Sequence, residues 1–188
     1  MNYFDDFLDL INAQLRSCRL VIFTGVSGSG KSTAIQWLLN HHVDFKGRPA
    51  VHISGGGKKW SVPDCQDSLV VVDDIIDKIE LVKIWRVLNQ GNQVILASHI
   101  HPRWFLFIRT FWETKIFRTD QDHDKIMRYL KAKHVEFTPA AVHSFCNEYG
   151  SSYLDLTHIL ERYPGRSFDR ALGKFRKYCR MEQPTMNA

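Results

Sequence analysis

The stretch Arg19-Leu20-Val21-Ile22-Phe23-Thr24-Gly25-Val26-Ser27-Gly28-Ser29-Gly30-Lys31-Ser32-Thr33 decides the fold. Its first half is a short apolar run, as expected of a strand buried on both faces. Its second half contains GxxxxGKS, and a helical pattern follows as far as Leu39. Strand, glycine-rich loop and helix in that order make a phosphate-binding loop. The glycines permit the backbone angles that fold a loop around a phosphate with its amides turned inward, and a helix beginning near Lys31 adds the positive end of its dipole. In such a loop Lys31 reaches the β and γ phosphates and the Ser32 hydroxyl takes a magnesium position. Gly25, Val26, Ser27, Gly28, Ser29, Gly30, Lys31, Ser32 and Thr33 are therefore the expected nucleotide-binding residues, with ATP as ligand and Mg²⁺ beside it.

Outward from the loop, the next question is where the magnesium carboxylate lies. Ser68-Leu69-Val70-Val71-Val72-Asp73-Asp74 reads as a second buried strand with two acids at its carboxyl end, the end that faces the ligand in an open parallel sheet. Asp73 is placed to hold magnesium. Asp74 is placed to orient or deprotonate an attacking water, a part that hydrolysis needs; the plainer alternative is that both acids end the strand or cap the next helix. A third strand, Gln93-Val94-Ile95-Leu96-Ala97, follows a helix at 78–89 and ends in Ser98-His99. If it lies between the other two, Ser98 senses the γ phosphate or holds the lytic water. His99 and His101 form an HxH pair without a third metal ligand in view.

The 188 residues suit one domain, or one with a small appendage, and 44% hydrophobic with 24% charged residues excludes a disordered chain. No apolar run approaches the roughly 20 residues of a membrane span. Asp5, Asp6 and Asp9 precede any basic residue, the reverse of a secretory leader, so a cytoplasmic protein with no membrane partner is expected. Cys18, Cys65, Cys146 and Cys179 are scattered singly and read as reduced structural thiols. The formal charge of +5 is concentrated: Arg162, Arg166, Arg170, Lys174, Arg176, Lys177 and Arg180 face only Asp169, and with Glu182 they account for all of it. Arg166, Arg170, Lys174, Lys177 and Arg180 could meet nucleic-acid phosphates non-specifically, or form the solvated side of a helix that buries Phe168, Leu172 and Phe175. Gly55-Gly56-Gly57-Lys58-Lys59-Trp60 reads as a mobile loop, or as one that touches a partner or single-stranded DNA, with lysines for phosphates and Trp60 stacked on a base. Met1 to Leu15 reads as an amphipathic helix.

In combination, the phosphate loop, Val72-Asp73-Asp74-Ile75 and Gly91-Asn92-Gln93-Val94-Ile95-Leu96-Ala97-Ser98 with His101-Pro102 downstream resemble the AAA+ ATPases, most of all the replication-initiator group of DnaA and Hda. The resemblance spans residues 18–163. It implies an α/β P-loop NTPase fold of AAA+ type, with a five-stranded parallel sheet at 1–120 and a small helical lid at 121–188. Helices at 124–133, 139–150 and 153–163 are also supported by their own periodicity. The resemblance further implies a Mg-dependent ATPase, taking ATP to ADP and phosphate, that acts as a switch or loader on a replication or recombination machine and pairs with itself, another AAA+ protein or a replication protein. Arg109, with Arg103 as second choice, stands where that family carries an arginine finger. Leu154 stands where its lid carries an arginine. A small-metabolite kinase is the alternative, because the loop also resembles that of gluconate kinases; a nucleotide-binding interaction module without turnover is another.

Overall fold

The computed structural model describes residues 14–56, 59–120, 122–165 and 167–182. Five strands, β1 (Leu20–Thr24), β2 (Ala50–Ser54), β3 (Leu69–Ile75), β4 (Gln93–Ser98) and β5 (Thr114–Arg118), form one sheet in the order β2-β3-β4-β1-β5. Every pairing is parallel. The strand of the third apolar run thus lies between the loop strand and the Asp73 strand. Side chains alternate across the sheet. Val21, Phe23, Val71, Ile95 and Ala97 pack on one face with Ala34, Ile35 and Leu38 of helix α1 (Lys31–His41). Leu20, Ile22, Val70, Val72, Val94 and Leu96 pack on the other with Ile84, Val87 and Leu88 of α2 (Glu80–Asn89), and with Phe105 and Ile108. Ile108 belongs to the short α3 (Leu106–Arg109), which follows a 3-10 turn at Pro102–Phe105. This double covering is why β1, β3 and β4 read as unbroken apolar runs. Each large side chain so buried is worth about 1.5–3 kcal/mol.

Two amides tie the amino end of the sheet. Asn92 is fully buried, accepting from Ser68 N at 2.9 Å and donating to the carbonyls of Cys65 and Val87. Gln93 donates to Leu15 O and Cys18 O and accepts from Arg48. The Gly91-Asn92-Gln93 stop between α2 and β4 is thus a packed polar joint.

Trp60 corrects an expectation. It is 9% exposed and packs into the α2 side of the core, its indole donating to Glu80 Oε1 at 2.8 Å. Lys83 lies 4.8 Å over the ring and donates to Trp60 O, so a stacking role on single-stranded DNA fails for want of an open face. Of the rest of that loop, Gly57 and Lys58 lie outside the described residues, as do Arg166 and most of the amino-terminal helix expected at 1–15.

The chain divides into two compact units, one built on this sheet up to Thr119, the other from Asp120 onward together with Val26–Ser29. The second unit is helical: α4 (His123–Ala132), α5 (Pro139–Tyr149), α6 (Tyr153–Arg162) and α7 (Phe168–Glu182). Asp122, Thr138 and Ser152 cap the first three, each side chain accepting a first-turn N–H. Ile126, Leu130, Val142, Phe145, Leu156, Ile159, Phe168 and Leu172 supply its core. Burial pushes the Cys146 and Cys18 thiols up, which keeps both protonated and unreactive. Among the described residues no helix is long and apolar enough to cross a membrane.

Candidate functional site

The loop leaves β1 at Thr24 and enters α1 at Lys31, with Gly30 as the helix N-cap. Gly30 has no side-chain oxygen to occupy the first-turn N–H groups, and no acid stands in that turn. The helix start is therefore electropositive and open to an anion. Lys31 is 7% exposed and its ammonium donates to Gly25 O at 2.9 Å, which folds the side chain back along the loop. Thr33, next to Ser32 on α1, is exposed.

Ser32 and Asp73, 41 residues apart, meet where α1 begins and β3 ends: the hydroxyl lies 3.1 and 3.0 Å from the two carboxylate oxygens. These are hard oxygen donors of the kind Mg²⁺ takes, with one or two protein ligands and the rest from phosphates and water. The residues present fit the ion.

Asp74 points elsewhere, and the backbone shows why. The β3–β4 register pairs Val72 with Leu96 but Ile75 with Ser98, so β3 carries an extra residue at the two acids. A bulge of this kind re-aims a side chain. Asp74 takes φ 65° within it, and its Oδ1 lies 3.0 Å from His99 Nε2. Within the bulge Asp73 meets Ser32 and Asp74 meets His99. Ser98 is fully buried, donating to Ile75 O at 3.2 Å and accepting from Ile100 N at 3.0 Å, so its hydroxyl bridges the ends of β3 and β4. His101 Nδ1 accepts from Arg103 N and caps the turn that follows. Arg109 ends α3 and is exposed.

The sequence model of novel STAND NTPase 3, nSTAND3, matches residues 3–138. The chain belongs to the nSTAND3 family. Together with the loop and sheet, that makes it a nucleotide-binding P-loop NTPase. Among solved structures, the FIGL-1 AAA domain in complex with ADP is similar at 14% identity and a TM-score of 0.41, over 96% of this chain and 77% of that one. No curated protein matches the sequence.

The helical unit of this nSTAND3 NTPase grips its own part of the loop. Tyr153 N donates to Gly28 O at 2.9 Å, and Lys125 Nζ donates to Ser29 O at 2.7 Å. Gly28 has φ 71°, and a Cβ there would fall 2.6 Å from Leu154 Cβ, so only glycine fits. Leu154 itself is 61% exposed. Lys125 is 7% exposed and lies 4.9 Å from the Tyr153 ring. Its role escaped the sequence reading because a lysine on an amphipathic helix ordinarily reads as solvated. The one signal was Asp122, three residues earlier, whose cap fixes the start of α4 and so the place of Lys125.

Proposed function

We propose that the chain binds Mg-ATP at Gly25–Ser32 and hydrolyses it, acting in the cytoplasm as a nucleotide-dependent switch or loader on a nucleic-acid machine. The observation that carries this reading is the division of labour between the paired acids, Asp73 on Ser32 and Asp74 turned aside by the bulge. Water attacks the γ phosphorus in line, its proton passes to the Asp74 carboxylate, and the bond to the β–γ bridging oxygen breaks to leave ADP and phosphate. Lys31 stabilises charge on the phosphoryl oxygens. Ser32 and Asp73 would hold magnesium, which would supply charge neutralisation to the phosphates.

The partner in this reading is a second copy or another ATPase of the same kind, docked at the segment that carries Arg109. Leu106, Phe107 and Phe111 in that segment are 56%, 63% and 60% exposed. Trp85 of α2 stacks on Phe107 at 5.0 Å and meets Phe111 edge-on at 5.0 Å, so the rings form one continuous aromatic surface. Such a surface marks a contact site. ATP turnover measured against protein concentration, with light scattering in parallel, tests the reading. Specific activity should rise as scattering reports assembly; flat, negligible turnover with ATP demonstrably bound would make the protein a nucleotide-binding module instead.

The nucleic-acid part rests on α7. Arg170, Lys174, Lys177 and Arg180 are exposed at i, i+4, i+7 and i+10, whereas Arg176 is occupied by Glu148 and Ser144, and Arg162 by the Tyr178 ring. Four phosphate contacts would give log K against log[salt] a slope of about −3 to −4 on duplex DNA. In a filter-binding or anisotropy titration, Arg170→Ala with Lys174→Ala should remove about two from that slope. A slope near zero would assign the row to solvent.

A further inference from the structure

We propose that His99 and Gly56 are positioning residues that build the cradle in which the Asp74 carboxylate is held. The inference rests on the hydrolytic reading above and adds to it the groups that aim its base. Four contacts define the cradle. Gly55 N and Gly56 N donate to the Asp73 and Asp74 carbonyls at 2.7 Å each, continuing the β2–β3 pairing past the end of β2. His99 N and Ser98 Oγ both donate to Ile75 O, at 2.9 and 3.2 Å, which locks the end of β4 to the bulge from the other side. With both flanks of the backbone fixed, the side chain is caught between them. Asp74 Oδ1 lies 3.0 Å from His99 Nε2, and Oδ2 lies 2.8 Å from where a Cβ at Gly56 would stand. A methyl group at 56 would therefore occupy the carboxylate's own space, and Gly56 also has φ 57°.

A half-exposed carboxylate beside solvent otherwise has a freely turning χ2. A base acts only when its lone pair is directed at the proton it takes, and a misplacement of about 1 Å costs up to about a hundredfold in rate. The bulge sets where Asp74 starts, His99 fixes one oxygen, and the missing side chain at 56 leaves room for the other. Asp73 needs no such device, because Ser32 already meets both of its oxygens.

The test uses the full chain with Mg-ATP, reading kcat by phosphate release and Kd by equilibrium titration. His99→Ala and Gly56→Ala should each lower kcat by about ten- to a hundredfold while ATP Kd stays within about threefold. His99→Gln, whose amide nitrogen reaches the place of Nε2, should recover most of the rate. A readout without nucleotide accompanies these: the imidazole ¹⁵N resonance of His99 Nε2, identified by its loss in His99→Gln, should move in Asp74→Ala. The proposal is overturned if His99→Ala keeps kcat within twofold of the native chain while Asp74→Asn is inactive. It is overturned equally if the alanine and glutamine variants are impaired alike, or if the Nε2 resonance is indifferent to Asp74→Ala. Should the native chain show no turnover at all, the hydrolytic reading fails and the resonance alone decides whether His99 holds Asp74.

Discussion

Replacing Lys31 by alanine is expected to weaken Mg-ATP binding by about thirtyfold to several thousandfold. The ammonium is almost fully buried in the loop, where its carbonyl partner, Gly25 O, faces it at 2.9 Å. Bound phosphates would present it with full negative charge. Removing one member of a buried, hydrogen-bonded charge pair costs about 2 to 5 kcal/mol, and each 1.4 kcal/mol is a factor of ten in Kd. The fold should survive, because Lys31 joins neither face of the sheet core through its ammonium and Gly25, only half-buried, can take up water at its carbonyl. Titration with a fluorescent ATP analogue measures the effect, and a thermal melt controls for folding. A Kd within threefold of the native chain would remove Lys31 from the phosphate site and, with it, the reading of the whole loop.

The parts of this molecule that sequence made visible are those whose environment is uniform along the chain. β1, β3 and β4 are covered on both faces, so Leu20–Phe23, Leu69–Val72 and Val94–Ala97 are apolar without a break and the runs are unmistakable. β5 does not read as a strand because it is one of the two sheet edges: Thr114-Lys115-Ile116-Phe117-Arg118 is half-buried at best and mixes charges with apolar residues. Trp60 misled for a related reason. Its glycine and lysine neighbours suggest an open loop, and the groups that bury it, Glu80 and Lys83, stand 20 and 23 residues further on. The candidate site divides in the same way. Lys31, Ser32 and Asp73 belong to a motif whose spacing carries its geometry. His99 has no such spacing to Asp74: its approach depends on one extra residue in β3 opposite β4, and a bulge leaves no periodic trace in a run as short as seven residues. Lys125 likewise needs the loop carbonyl of Ser29, 96 positions earlier, before its burial makes sense.

Asp74→Asn is expected to separate binding from chemistry: kcat should fall by about 10²- to 10⁴-fold, the ordinary contribution of a general base, while the Kd for Mg-ATP stays within about threefold. The two acids are neighbours in sequence, and the order of the motif gives Asp73 the metal and Asp74 the water only as an expectation. The proposed division follows the bulge, where Asp73 meets the Ser32 hydroxyl, whereas Asp74 is 48% exposed, beside His99 rather than beside the loop serine. Asparagine keeps the size of the side chain and its Oδ1, and so keeps an acceptor for His99 Nε2, but it has no basic oxygen to receive a proton. Strain at φ 65° is no obstacle, because asparagine tolerates the left-handed region at least as well as aspartate. Single-turnover phosphate release beside equilibrium ATP binding distinguishes the cases. If Asp74→Asn turns over at the native rate, the base lies elsewhere; if it loses ATP in step with turnover, Asp74 shares the metal site with Asp73, and the division of labour assigned to the bulge is wrong.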